Sequence, residues 1–449
     1  MNKIKSLFLI ITLFLCHIAF STEVTALSNG LRVAAEQVNS DRAYITVLID
    51  YSCYDDYLPY SELPAEWKEL PFMPSYGMLL PNARQGLLNS FSIGYAKQPK
   101  QAFTEIGGSL TFSNTPDYLL IHAETPKDEL SEGLQILKGM LERVPGEGYS
   151  EQSLNSVPQT LENNSYSKTA ISHLYSGVPY GFYYSNDTSS LSLVRGVFIS
   201  IMQTHMVKPS KTIVSVVSGN EIKQTISDVN SIFSKWINKQ NNWMRLGNDS
   251  FLPPIRKKIE FIEIDNITVS YYYMTALLPS INTEEYAVGL VLTALFDGVG
   301  GELFQNLRVK EQLAYFYNAA NISNRDANIL QISAEVSSDD FGLTSKIINL
   351  SVAKIMNGQI TEEELFRAKN YAVTKILNNR RSPDLLSNEL AKEVLFFGGD
   401  TESNKKLIKK IEAVTTEEVT ALAAERLKDT TEYIVMPKLK NVRGVIEEE

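Results

Sequence analysis

Residues that bind metals through sulfur or imidazole are scarce in this sequence. Its 449 residues include two cysteines and four histidines. Cys16 and one histidine fall in an N-terminal leader, so Cys53 has no partner for an intramolecular disulfide and reads as a buried strand thiol. The remaining histidines, His122, His173 and His205, never stand at i, i+3 or i+4 to one another. No helix therefore offers the paired imidazoles that a catalytic zinc commonly uses. His122 is expected on a strand and the other two on separate helices, each as a surface or satisfied core histidine. Basic residues are in the minority too: 42 Lys and Arg face 52 Asp and Glu, a net charge of −10. Without basic clusters, such a chain is a poor binder of nucleic acid or anionic membrane. Long apolar runs are absent beyond the leader, which excludes a helical membrane span in the rest of the chain.

The leader reads MNKIKSLFLIITLFLCHIAFSTEV. Lys3 and Lys5 form a positive head, and Leu7 to Leu15 form an apolar stretch that is short for a membrane span. Ala19-Phe20-Ser21 places small residues at the two positions that determine cleavage. The pattern predicts a secretory signal over 1–21, cleaved after Ser21, and a periplasmic or secreted mature protein. Loss of the two lysines takes the net charge from −10 to −12. The bulky Leu15 argues against a lipoprotein signal at Cys16.

The mature chain is too long for one compact core, and it repeats itself once. Strand-like runs 43–54 and 267–279 open the two copies, and helical regions 80–106 and 283–311 follow. Strand pairs come next at 107–125 and 313–336, both running into Ala-Glu, at 123–124 and 334–335. Amphipathic helices are expected at 127–143 and 339–356, then helices ending in Asn-Asn at 149–164 and 360–379. A helix and a strand close each copy, at 197–219 and 414–437. The expectation is an α/β fold of the α+β type. It consists of two homologous domains, each a largely antiparallel sheet packed by helices, facing each other across a cleft. The domains would span 22–240 and 259–449, joined by the polar, Pro-bearing stretch 241–258.

One helix face in the first copy has the spacing of a metal site and none of its ligands. In GLLNSFSIGYAK (86–97), Asn89, Ser92 and Ile93 stand at i, i+3 and i+4 on one face. Zinc needs imidazole, thiolate or carboxylate at about 2.0–2.3 Å. An asparagine amide is a poor ligand, Ser92 is no base near neutral pH, and Ile93 coordinates nothing.

The order of motifs resembles the insulinase/pitrilysin family of zinc peptidases, the inverzincins. The resemblance covers nearly the whole mature chain and is carried by LSNGLRVAAEQVNSDRAYITVLIDYSCYDD (27–56), GGSLTFSNTPDYLLIHAETPKDELSEGLQIL (107–137), VPYG (178–181), SGNEI (218–222) and GVGGELFQNLRVKEQLAY (298–315). In that family the segment matching GLLNSFSIG carries His-x-x-Glu-His. Asn89 falls on the first histidine, Ser92 on the glutamate that acts as general base and Ile93 on the second histidine. The third ligand position falls on Asn164, with Glu162 one slip away. The resemblance therefore implies a member with a degenerate zinc motif at 89–93, no metal and no cofactor in this chain.

Active members also use an arginine and a tyrosine seven residues apart that reach the substrate carbonyl. Arg308 and Tyr315 match that pair, and a guanidinium and a phenol can donate to an oxyanion or a peptide backbone. From the residues alone, Arg308 can equally pair with Glu311, and Tyr315 can pack with Leu313 and Tyr317. A lost zinc motif beside a kept Arg/Tyr pair is similar to the zinc-less subunit of two-subunit processing peptidases. The expected partner is a zinc-bearing insulinase-family homologue that carries the zinc, and the expected substrate is an extended peptide. The alternative is a partner-independent peptide-binding or scaffold protein of the cell envelope. GVGGE (298–302) reads as a turn or a flexible loop near the cleft, and the insertion 57–85, rich in Tyr, Trp, Met and Phe, as a surface loop, a cover over the vacant zinc region or a docking segment.

Overall fold

The computed structural model describes residues 22–58, 78–79, 98–142, 166–176, 178–184, 203–237, 257–326 and 328–438, with Arg84, Leu87, Leu88 and Phe91. The expected leader, most of the 57–85 insertion and the stretch 241–256 lie outside them.

Alternating apolar positions build two sheets. The first contains β1 (Thr22–Ala26), β2 (Arg32–Gln37) and β3 (Arg42–Ile49). A separate two-stranded ladder of β4 (Tyr57–Leu58) and β5 (Met78–Leu79) follows in the chain. The first sheet then takes β6 (Ser109–Asn114), β7 (Leu119–Pro126) and β8 (Thr212–Ser218), in the order β1-β2-β8-β3-β7-β6. The second sheet holds β9 (Lys258–Ile264), β10 (Val269–Leu278), β11 (Ala314–Ser323), β12 (Asn328–Ser337) and β13 (Thr431–Pro437), in the order β11-β12-β10-β13-β9. Read from its other edge, the second order, β9-β13-β10-β12-β11, matches β2-β8-β3-β7-β6 of the first, and β1 is an additional edge strand. Each sheet has one parallel pair, β2 with β8 and β9 with β13, and is otherwise antiparallel. The internal repeat of the sequence is thus a repeat of topology. The Ala-Glu pairs occupy matching places in β7 and β12.

Each sheet covers one face with helices of its own half. In the first, α1 (Pro99–Glu105), α2 (Leu130–Glu142) and α5 (Ile222–Phe233) close over Val33, Ile45, Val47 and Ile121, joined by the helical residues Leu87, Leu88 and Phe91. Between them in sequence come α3 (Tyr166–Leu174) and α4 (Pro179–Tyr184), which go elsewhere. In the second, α6 (Tyr286–Phe296) is apolar all round and buried against α8 (Glu362–Asn378) and α11 (Thr416–Arg426), as an apolar helix must be. A π-helix (Phe304–Lys310) and α7 (Phe341–Met356) complete that layer.

The other face of each sheet is covered by the opposite half. Helix α9 (Pro383–Phe397) crosses to the first sheet, where Leu386, Leu390, Ala391 and Val394 pack on Ala34, Leu48, Ile213 and Val217. Its start is fixed by Ser382, whose side chain accepts from Leu385 N–H, with Pro383 in the first turn, and its end by the left-handed Gly398, φ 65°. Helix α10 (Ser403–Ala413) follows it. In exchange, α3 lies on the second sheet: Ala170 meets Tyr433 and Val435, and Ile171 and Leu174 join Leu277 and Ile329.

Polar clusters pin both crossings. Thr46 of β3 donates to Asn388 Oδ1 of α9 (2.9 Å) and lies 3.0 Å from Ser387 Oγ, and Ser215 of β8 donates to the Ser387 carbonyl. His122 Nε2 meets Asp384 Oδ1 at 2.7 Å, and His173 Nδ1 of α3 meets Glu260 Oε2 of β9 at 2.8 Å. Burial outweighs these carboxylates and holds both imidazoles below their ordinary pKa. Buried Asp117 accepts from Tyr180 O–H (2.7 Å) and from Arg325 N–H (2.8 Å), while the Arg325 guanidinium donates to Asp50 (2.7 Å). Arg380 joins Glu36 of β2 to Glu393 of α9, and Asn404 also donates to Glu393.

Two predictions follow from the crossings. Leu390→Ala should cost about 3 kcal/mol by removing a fully packed side chain from the junction, read as a lower urea midpoint; a wild-type midpoint would contradict the packing described. Glu393 is pushed up to about 7, from an ordinary 4.5, by burial, with Glu389 and Glu36 adding to it and Arg380 opposing. Between those values the folded chain holds a proton that the unfolded chain has released, so this carboxyl lowers stability as pH rises. Glu393→Gln should therefore gain on wild type across that window, by on the order of 3 kcal/mol at most. Denaturant melts at pH 4.5 and 7.5 read the difference, and equal gaps at both would refute it.

Candidate active-site region

The degenerate motif residues Asn89, Ser92 and Ile93 lie outside the described residues, as do Glu162 and Asn164. Their described neighbours Leu87, Leu88 and Phe91 are helical and join the first core. Among the described residues, no group of three or more His, Cys, Asp or Glu is placed to hold a metal ion. His122 and His173 pair with carboxylates across the junction, and His205 is held below its ordinary pKa by burial and then by Lys208. Cys53 is a buried free thiol, in the short 3-10 turn Cys53–Asp56 rather than on a strand.

Arg308 and Tyr315 sit at one corner of the second sheet. Arg308 is exposed near the end of the π-helix, and Tyr315 lies in β11, the edge strand. The π-helix is anchored from below. Leu303 and Leu307 are fully buried, and the Asn306 amide donates to Glu302 (2.8 Å) and Ser351 (3.2 Å). Its outer side presents Arg308, Val309 and Lys310 in succession. Gln312 then turns the chain in the left-handed region, φ 56°, and Leu313 N–H donates back to the Leu307 carbonyl at 2.9 Å. The ladder with β12 shifts register between Ala314 and Phe316, so Tyr315 is the bulged residue. A bulge bends an edge strand, and π-turns inside helices concentrate at functional sites.

The turn that leads in depends on glycine. Gly298 has φ 77° beneath the Tyr371 ring, and a Cβ on Gly301 would stand 2.3 Å from the Asp297 carbonyl oxygen. GVGGE is therefore a structural turn that starts the π-helix. Beside it opens a pocket of about 940 Å³ lined by residues including Val299, Glu302, Leu350, Lys354, Glu364 and Arg367. Lys354 bridges Glu302 (2.5 Å) and Glu364 (2.6 Å). Burial pulls its pKa down, but the two hydrogen-bonded carboxylates win and hold it above its ordinary value. Glu364 also closes the capping box of α8 with Thr361. The box is legible in T-E-E-E; the bridge through Lys354 had no signal in the sequence.

This architecture defines the class: a duplicated, two-sheet peptidase-type fold. Residues 202–371 match the family described as Peptidase M16 inactive domain. A zinc protease of Rickettsia felis, described as uncharacterized, is 23% identical over 316 residues, 68% of this chain and 74% of that protein. An M16-like peptidase of Alicyclobacillus acidocaldarius superposes with a TM-score of 0.78 at 13% identity, covering 94% of this chain and 99% of its own. A peptidase M16 inactive domain of Pseudomonas fluorescens gives 0.75 at 14%, covering 93% and 98%. Residues 202–371 are thus similar to the M16 inactive domain, and the fold of the chain is that of M16-like peptidases.

The corner yields a prediction. Gln312→Gly should leave the protein as stable or up to about 1 kcal/mol more stable, because glycine accepts the left-handed turn without strain. Gln312→Val should lose about 1–2 kcal/mol, since a β-branched residue there is an outlier. Thermal melts of both variants check this; equal melting temperatures would remove the strain argument.

Proposed function

We propose that this chain is an exported, zinc-less insulinase-family protein that complements a zinc-bearing homologue in peptide proteolysis. The observation that carries the reading is the Arg308–Tyr315 corner, where an exposed guanidinium on a π-helix precedes a bulged tyrosine on an open edge strand. Such a pair donates to a peptide carbonyl or a developing oxyanion. The sequence at 89–93 supports the same division of labour, since Asn89, Ser92 and Ile93 supply neither ligands nor base. The partner would bring both. Peptide would be held as an added strand, whose main-chain hydrogen bonds need no particular side chains. In the described sheets β6 and β11 are edge strands, each paired on one flank only.

Co-expression with a zinc-bearing insulinase-family homologue tests the reading. The two chains should co-purify and hydrolyse extended peptides faster than the homologue alone. Arg308→Ala or Tyr315→Phe should lower turnover of the pair by about 10- to 100-fold, or roughly 1.4–3 kcal/mol of transition-state stabilisation. No complex, together with unchanged hydrolysis, would sink the proposal. Stoichiometric zinc in the purified chain would also do so.

A further inference from the structure

A second pocket, of about 210 Å³, opens where the two halves meet, and it deepens the peptide-binding reading on which it rests. Ser113, Thr115 and Tyr118 of the first half line it, facing Asn388, Glu389 and Lys392 of α9.

The pleat sets its position relative to β6. In β7, Leu119, Ile121 and Ala123 enter the first core, so Leu120, His122 and Glu124 point to the α9 side. Leu110 of β6 enters the same core, so Ser109, Thr111 and Ser113 share the α9 side, opposite Glu124, His122 and Leu120. Helix α9 packs over β8, β3 and β2. The β6 end of this face is left open, with Ser109, Thr111 and Ser113 all exposed. A strand added along β6 continues the pleat, and every second side chain of it projects over this shelf of hydroxyls. The pocket lies at the Ser113 end.

Charge decides what it accepts. The Glu389 side chain is 16% exposed and that of Lys392 36%, so the carboxylate is the deeper of the two. They stand 3.7 Å apart at i, i+3, longer than a charge-assisted hydrogen bond, and such helix-surface pairs are weak. Beyond the effect of burial, the Glu389 charge is felt at Tyr118, Tyr286 and Glu393, raising the pKa of each. The Ser113 hydroxyl and the second lone pair of the Asn388 carbonyl, whose first takes Thr46, add acceptors for N–H groups, while the Thr115 hydroxyl is held by its own turn. We propose that this pocket takes the cationic side chain of an arginine or lysine in an extended peptide seated along β6, with Glu389 as its counter-charge. Lys392, at the mouth, swings aside when the guest arrives.

The test uses the full chain and ten-residue labelled peptides in which one arginine is walked along a neutral sequence, each compared with its citrulline and glutamate counterparts by fluorescence anisotropy. In one register arginine should bind about tenfold more tightly than citrulline, or 1.4 kcal/mol. Glu389→Gln should bring that ratio to about one while citrulline affinity holds. Lys392→Ala, which leaves Glu389 in place, should widen it. Equal binding of arginine and citrulline peptides in every register overturns the pocket assignment and leaves the peptide-binding reading standing. Tighter binding of glutamate overturns it in favour of Lys392. Binding of no peptide in the set overturns both.

Discussion

A sheet of five or six strands has two faces to bury, and among the described residues each half has helices of its own for only one. The remaining face of the first sheet is closed by α9 and that of the second by α3. Each buried aliphatic side chain is worth about 1.5–3 kcal/mol. The eight buried residues where α9 meets the first sheet therefore represent on the order of 10 kcal/mol, comparable with the whole stability of a domain. Neither half has a complete core without the other. The junction is part of the fold, which is why sites that sit at it, such as the pocket beside β6, have walls from both halves.

Apolar packing alone would leave the register of α9 loosely set, because a helix shifted by one turn presents a similar stripe. The polar contacts remove that freedom. A shift of one turn would take Ser387 and Asn388 away from Thr46 and Ser215, and would take Asp384 away from His122. A donor or acceptor left unpaired in this buried position costs about 1–3 kcal/mol, so several lost together decide the register. The same groups make the junction sensitive to protons in both directions. Neutral His122 and His173 favour it above their ordinary range, and protonated Glu393 favours it below neutrality.

The repeat, the strand pairs and the helices on the outer faces were legible because their periodicity is local. Leu119, Ile121 and Ala123 alternate cleanly, and α2 and α7 fall within a few residues of expectation. Helix α9 was not read, and α3 was expected only as a helix carrying His173, with no sheet assigned to it. Their apolar stripes look like those of any amphipathic helix, and nothing in the residues says which sheet a stripe will meet. The carboxylate partners of His122 and His173 had no signal in the residues, since they lie far off in sequence, as with His122 and Asp384. The π-helix and the Tyr315 bulge were also invisible, since both are departures from a periodicity rather than instances of one.

Those two departures explain how a spacing of seven residues brings Arg308 and Tyr315 to one corner. In a continuous α-helix, seven residues make about two turns and put both side chains on one face. Here the helix stops at Lys310, the left-handed Gln312 reverses the chain, and the strand begins at Ala314. Strand alternation alone would then fix Tyr315 as a partner of either Val336 or Glu335. Because the ladder skips it, the backbone at Tyr315 is released from strict pairing at the point where the strand begins. The open flank of β11 and the exposed turn that carries Arg308 border the same corner. A peptide strand arriving at that flank would meet main-chain donors first and the guanidinium at their end. Under the proposed function, that order suits holding a peptide backbone in place.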